Sequence, residues 1–164
     1  MTTPARITAG PERTLLENTL DRGRAALVEK VRELPEEQSR RRLVASATTP
    51  IGLIKHAAAA ERIWFQHYLA GLPEAECDGY ATPGAGSFAV SDDETLSDVI
   101  AEFERASRRS ATIVAPYDLA HTVHHPRAGI VSVRWIYLFL IAEYGRHTGH
   151  ADILVEQIND PITA

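Results

Sequence analysis

Apolar residues recur along this chain at the three-to-four-residue spacing of helices buried on one side, in four stretches separated by loops rich in glycine and proline. The first predicted helix starts near Pro11, a favourable first-turn residue, and runs to about Leu34 through Leu15, Leu16, Leu20, Leu27 and Val31. Pro35 and the polar run to Arg42 then break or redirect it. The second opens with Thr49 as N-cap and Pro50 in the first turn, and continues to about Leu69 through Ile51, Leu53, Ile54, Ile63 and Trp64. Its alanine run, Ala57 to Ala60, favours helix strongly, and such small side chains let a neighbouring helix come close. Gly71 and Pro73 end it.

From Pro73 to Val90 glycines and prolines replace periodicity, which predicts a long ordered loop of the kind that often carries function. Ser91 and Glu94 have the spacing of a capping box and open the third predicted helix, through Leu96, Val99, Ile100 and Phe103 to about Ile113. A second loop, Pro116 to Ile130, carries His121, His124 and His125. Ser132 caps the fourth helix, which extends to about Ile158 with Pro161 just beyond. Four such helices with two long connections predict an all-α fold, a four-helix bundle, and leave room for short strands inside the loops. Residues 1–10 are expected as a flexible N-terminus and residues 11–164 as a single domain.

Composition narrows the functional classes. A net charge of −5 and no dense basic block argue against a nucleic-acid partner, with Arg40, Arg41 and Arg42 read as a solvated helix end or loop. Cys77 is the only cysteine, so no internal disulfide forms, and its acidic, Gly/Pro-rich setting makes it a bystander rather than a nucleophile. With no signal-peptide pattern and no apolar run long enough to span a membrane, a cytoplasmic protein without a membrane partner is expected. The alanine-rich second helix and the abundance of apolar residues suit a homodimer, without saying which faces pair.

The candidate chemistry lies near the C-terminus, in Glu143-Tyr144-Gly145-Arg146-His147-Thr148-Gly149-His150. On a helix Glu143 and His147 are one turn apart on one face, and His150 falls on the same stripe. A carboxylate and an imidazole so placed form two corners of a divalent-metal site and need a further ligand from elsewhere. His56 offers one: Ala60 and Ile63 share its face, so it points inward, either as a hydrogen-bonded core residue or as a ligand. The helix around Glu143 is apolar on much of its circumference, so its carboxylate requires compensation, from a metal or from Arg146. His150 is read as a further ligand or as a group that positions substrate; His67 is read as structural, and the loop histidines as exposed.

The segments Thr49-Pro50-Ile51-Gly52-Leu53-Ile54-Lys55-His56, Val131-Ser132-Val133-Arg134-Trp135 and Glu143 through Leu154 resemble the DinB-like superfamily of metal-binding four-helix bundles, especially a mainly actinobacterial branch related to mycothiol-dependent maleylpyruvate isomerase. The resemblance covers nearly the whole chain. It implies that His56, Glu143 and His147 bind a divalent metal, zinc first and nickel or ferrous iron next, and that His150 stands outside the ligand set with a catalytic or orienting role. Phe139 falls where relatives often carry histidine, which alters the wall of the site. The implied activity is a thiol S-transferase or isomerase, in which the metal presents a low-molecular-weight thiol of the mycothiol type to a small electrophile. The alternatives are a non-catalytic metal-binding or stress-associated bundle, and a metal-dependent hydrolase using water at the same open position.

Overall fold

The computed structural model describes residues 1–160, and Pro161, the expected stop signal, lies outside them. The described residues form helices α1 (Glu12–Val31), α2 (Glu36–Ser39), α3 (Pro50–Glu61), α4 (Leu96–Val114) and α5 (Val133–Asn159). A two-stranded sheet joins α4 to α5, with β1 (Thr122–His125) antiparallel to β2 (Gly129–Ser132). The architecture is an all-α bundle in which α1 packs along α5 and α3 along α4. No helix among the described residues is long and apolar enough to cross a membrane.

Local chemistry sets the helix starts. Thr49 accepts from the Gly52 N–H at 3.0 Å, with Pro50 in the first turn, and Ser132 accepts from the Trp135 N–H at 3.2 Å. The third long helix begins later than the Ser91/Glu94 spacing predicts. Ser91 does donate to the Glu94 carboxylate, but Glu94 is also drawn to Lys55, and the helix opens one turn on at Thr95. There Thr95 and Asp98 complete a reciprocal capping box, whereas at Ser91 only the half with the Glu94 carboxylate forms, and the complete box starts the helix.

Three further differences from the sequence reading bear on the site. The polar run after Pro35 contains the short helix α2. The second long helix does not stay α-helical: beyond Glu61 it widens into a π-helical stretch, Arg62–Leu69, a feature often found near functional sites. The loop with three histidines contains the hairpin of β1 and β2, turning through Gly129 at φ +73°, a conformation that favours glycine.

A buried polar network holds α1, α3 and α5 together. Arg24 donates to both oxygens of Glu61, at 2.8 and 2.7 Å, and the Tyr144 hydroxyl donates to Glu61 as well. A β-carbon at Gly23 would lie 3.3 Å from Cβ of Tyr144, so glycine there lets α1 approach α5 closely. A second network, Lys55 to Glu102 and Arg62 to Glu102 and Asp78, ties α3 to α4 and to the loop after it. Residues 1–10 have no regular structure and lie along the bundle, where the Ile7 N–H donates to Asn18 and Arg22 donates to the Pro4 carbonyl.

Candidate metal centre

Two helices and one loop build the site. His56 comes from the second turn of α3, and Glu143 and His147 from consecutive turns of α5. The structure brings these three together. Nε2 of His56 is 3.1 Å from Oε1 of Glu143, and Nε2 of His147 is 2.9 Å from the same oxygen. One donor atom from each residue lies within 4.8 Å of the others. All three are mostly buried yet reachable from solvent, with side-chain exposures of 18%, 11% and 9% for His56, Glu143 and His147.

Glu143 uses its two oxygens differently. Oε2 pairs with Arg146 at 2.9 Å, while Oε1 faces both imidazoles. Salt bridge and ligand therefore do not exclude each other. With protons on the facing ring nitrogens, hydrogen bonds from His147 and then His56 outweigh the cost of burial and hold the carboxyl well below its usual range.

The other face of His56 is set by a residue the sequence reading missed. Nδ1 of His56 is 2.8 Å from Oγ of Ser87, whose hydroxyl donates to the Gly84 carbonyl at 2.6 Å. With its proton committed there, Ser87 can only accept from His56, which places the imidazole proton on Nδ1. In the neutral imidazole Nε2 is then a lone pair, 3.1 Å from a carboxylate oxygen. Such a contact is satisfied either by a second proton, which makes His56 an imidazolium paired with Glu143, or by a metal cation between the two groups. An N–H to a polar oxygen on one side and a free nitrogen on the other is the arrangement of a metal-ligating histidine.

The donor set fits a divalent transition metal on distance as well. Zinc bonds of about 2.0–2.2 Å to nitrogen and oxygen place two donors roughly 3.3 Å apart in a tetrahedral site. The observed 2.9 and 3.1 Å separations lie near that value, while the three donors together span up to 4.8 Å, so a bound cation would draw the two imidazoles together.

Phe88, next to Ser87, stacks on His56 with ring centroids 4.1 Å apart and an interplanar angle of 6°. Both residues belong to the short 3₁₀ turn Ala85–Phe88, which can lie against α3 because position 52 is glycine. A β-carbon there would sit 3.0 Å from the Phe88 carbonyl oxygen and 2.9 Å from Oγ1 of Thr49. A glycine one turn before an inward histidine was the available clue that something packs over that ring.

His150 does not join the three donors. Its Nδ1 is 3.3 Å from Nδ1 of His147, and it forms part of the rim. Phe139, one turn before Glu143, packs with Trp64 and Trp135 in an aromatic cluster that also holds His125, stacked on Trp64 at 5.0 Å. His67 is anchored to the Leu72 carbonyl at 2.7 Å, and Arg134 pairs with Glu12 of the same chain at 2.6 Å. None of His67, His121, His124 and His125 is in the three-donor group.

A family model described as mycothiol-S-transferase matches residues 15–160, and that family lies within the DinB-like superfamily. No curated protein matched the sequence.

Proposed function

The chain belongs to the mycothiol S-transferase family, and from that premise we propose that it is a divalent-metal-dependent enzyme joining a mycothiol-type thiol to a small electrophile. The observation that carries the metal half of this reading is the bare Nε2 of His56, held toward Glu143 and His147 by Ser87. His56, Glu143 and His147 would hold the cation. Two imidazole nitrogens and one carboxylate oxygen suit zinc and leave a position open in a four-coordinate site, and nickel or ferrous iron accepts the same donors. A cation bound there supplies one thing, a lower pKa for the thiol it contacts, so that the thiolate forms near neutral pH.

The remaining work falls to the protein. Ser87 keeps His56 in the tautomer that frees Nε2. Arg146 holds one oxygen of Glu143, which leaves Oε1 for the shared position. Phe88 covers one face of the His56 ring and keeps water off it. If His147 likewise directs Nε2 inward, its Nδ1–H donates to Nδ1 of His150, and neutral His150 carries its own proton on Nε2. His150 is then a hydrogen-bond donor at the rim, suited to orient a substrate carbonyl or leaving group rather than to remove the thiol proton. In the transfer, the S–H proton passes to solvent, a C–S bond forms at the electrophilic carbon, and the leaving group departs with the bonding electron pair.

The test combines elemental analysis with an assay of electrophile consumption in the presence and absence of mycothiol. About one transition metal per chain, lost in His56→Ala and His147→Ala, and consumption that requires the thiol are expected. Metal-free protein without affinity for zinc or nickel would reject the metal centre. Consumption that proceeds equally well without thiol would reject transfer in favour of hydrolysis.

A further inference from the structure

A cavity of about 250 Å³ lies beside the candidate metal centre, lined by Val44, Ser46 and Thr48 from the segment before α3 and by His150, Ile153 and Leu154 from α5. His150 belongs to both places, since it lines the cavity and touches His147. We propose that this cavity receives the apolar portion of the electrophile, an aryl or short alkyl group, and so sets which electrophiles the enzyme accepts. The inference rests on the S-transferase reading of the centre and adds to it the chemistry of the second substrate.

Three observations carry it. The walls are overwhelmingly apolar, contributed by Val44, Ile153 and Leu154. The hydroxyls of Ser46 and Thr48 bond to each other at 2.9 Å, so they make a weak demand on a ligand. Apart from the imidazole of His150, no titratable side chain lines the space. The hydroxyl-rich sugar portion of a mycothiol-type thiol would give up its water there with few partners, which favours the electrophile as occupant. Size agrees, since this open cleft exceeds the volume of about 150 Å³ in which an enclosed dry cavity holds benzene. His150, one turn before Ile153 and Leu154 on α5, both lines the cavity and touches His147, so a group seated there lies next to the centre.

A homologous series of N-alkyl chloroacetamides, from N-methyl to N-hexyl, tests this with mycothiol as the thiol. In each turnover the sulfur replaces chlorine, and chloride leaves with the C–Cl bonding pair. KM is expected to fall about fourfold per added methylene until the cavity is filled, with kcat nearly unchanged, as for uniform binding of a remote group. Binding of the unreactive N-alkyl acetamides, followed by calorimetry or saturation-transfer NMR, is expected to show the same trend without any chemistry. Ile153 is 56% exposed, so Ile153→Asn is compatible with folding and is expected to flatten both trends to less than twofold per methylene. Leu138→Asn, an exposed apolar position of α5 outside the cavity, keeps them. Turnover of the N-methyl compound with no chain-length trend overturns the cavity assignment and leaves the transferase reading standing. No turnover together with a chain-length trend in acetamide binding overturns the transferase reading alone, and absence of both removes both.

Discussion

Ser87→Ala separates a tuned metal centre from a chance meeting of polar groups. Ser87 is 1% exposed and sits between Nδ1 of His56, at 2.8 Å, and the Gly84 carbonyl, at 2.6 Å. Alanine removes both bonds and adds nothing in their place. Two penalties follow. The His56 N–H loses its partner, which costs about 1–3 kcal/mol of folding stability for a group left buried and unpaired, while the Gly84 carbonyl keeps the backbone N–H of residue 87 at 3.1 Å. The imidazole is also freed to rotate or change tautomer, and loss of such an outer partner weakens metal binding about 10- to 100-fold, equivalent to about 1.4–2.8 kcal/mol. Competition for zinc against a chromophoric chelator reads the second penalty, and thermal unfolding of metal-free protein reads the first. His56→Ala provides the lower limit, since it removes the ligand itself. If Ser87→Ala binds zinc as tightly as the unaltered protein, the hydroxyl does not set the tautomer, and the argument from the bare nitrogen fails with it.

Two further outcomes test the surrounding structure. Glu61 is fully buried and answers a guanidinium that is itself 4% exposed, so Glu61→Gln leaves a buried charge with only the half-exposed Asp21, 2.6 Å away, to answer it. A loss of about 3–5 kcal/mol is expected, visible as a fall in Tm of roughly 10 °C; a fall below about 2 °C would show that the pair is not held as described. Asp78 fastens the loop carrying Ser87 to the π-helical stretch: burial raises its carboxyl, but hydrogen bonds from Arg62 and Gln66 outweigh that and hold it below its ordinary value. Because the folded value is depressed, this fastening is fully present above the ordinary aspartate range near pH ~3.9 and is lost as pH falls through the lower folded value. Amide exchange in residues 73–90, corrected for intrinsic rates, should therefore accelerate below about pH 4 in the unaltered protein and lose that dependence in Asp78→Asn; equal profiles in the two proteins would discount the fastening.

Legibility in the sequence follows the range of the interactions. Thr49 with Pro50, and Ser132, act within one turn, and the helices begin where those residues predict. Glu143 and His147 are legible as a pair for the same reason, because helical spacing alone brings them to one stripe. The Ser91/Glu94 box misleads because the Glu94 N–H goes to the Ser91 carbonyl and not to its hydroxyl, so only half of the box forms. The hairpin escapes because a four-residue strand pair leaves too short an alternation, and the π-helical stretch because its residues differ little from those of an α-helix. Ser87 and Phe88 are invisible for a deeper reason. They reach His56 across a loop without periodicity, and only Gly52, small enough to admit the Phe88 carbonyl, betrays the contact.

The bundle buries two glutamates side by side and treats them in opposite ways. Glu61 is closed: both oxygens are taken by Arg24, and Tyr144 adds a further hydrogen bond, so three of its about four acceptor sites are filled from within the core. Glu143 is open: one oxygen meets Arg146, and the other faces ring nitrogens that Ser87 and His150 help to orient. The two clusters are also joined through the chain. Tyr144 directly follows Glu143, and its hydroxyl lies against Glu61 and 3.4 Å from the carbonyl of Ala57, which directly follows His56. The contact that locks α5 onto α3 is therefore one residue away from each of the groups that meet across the candidate centre. The closed charge network supplies the rigidity, and the open one beside it inherits a fixed separation between donors on two different helices. That is the condition for a site to select a cation by geometry rather than to collapse into a salt bridge.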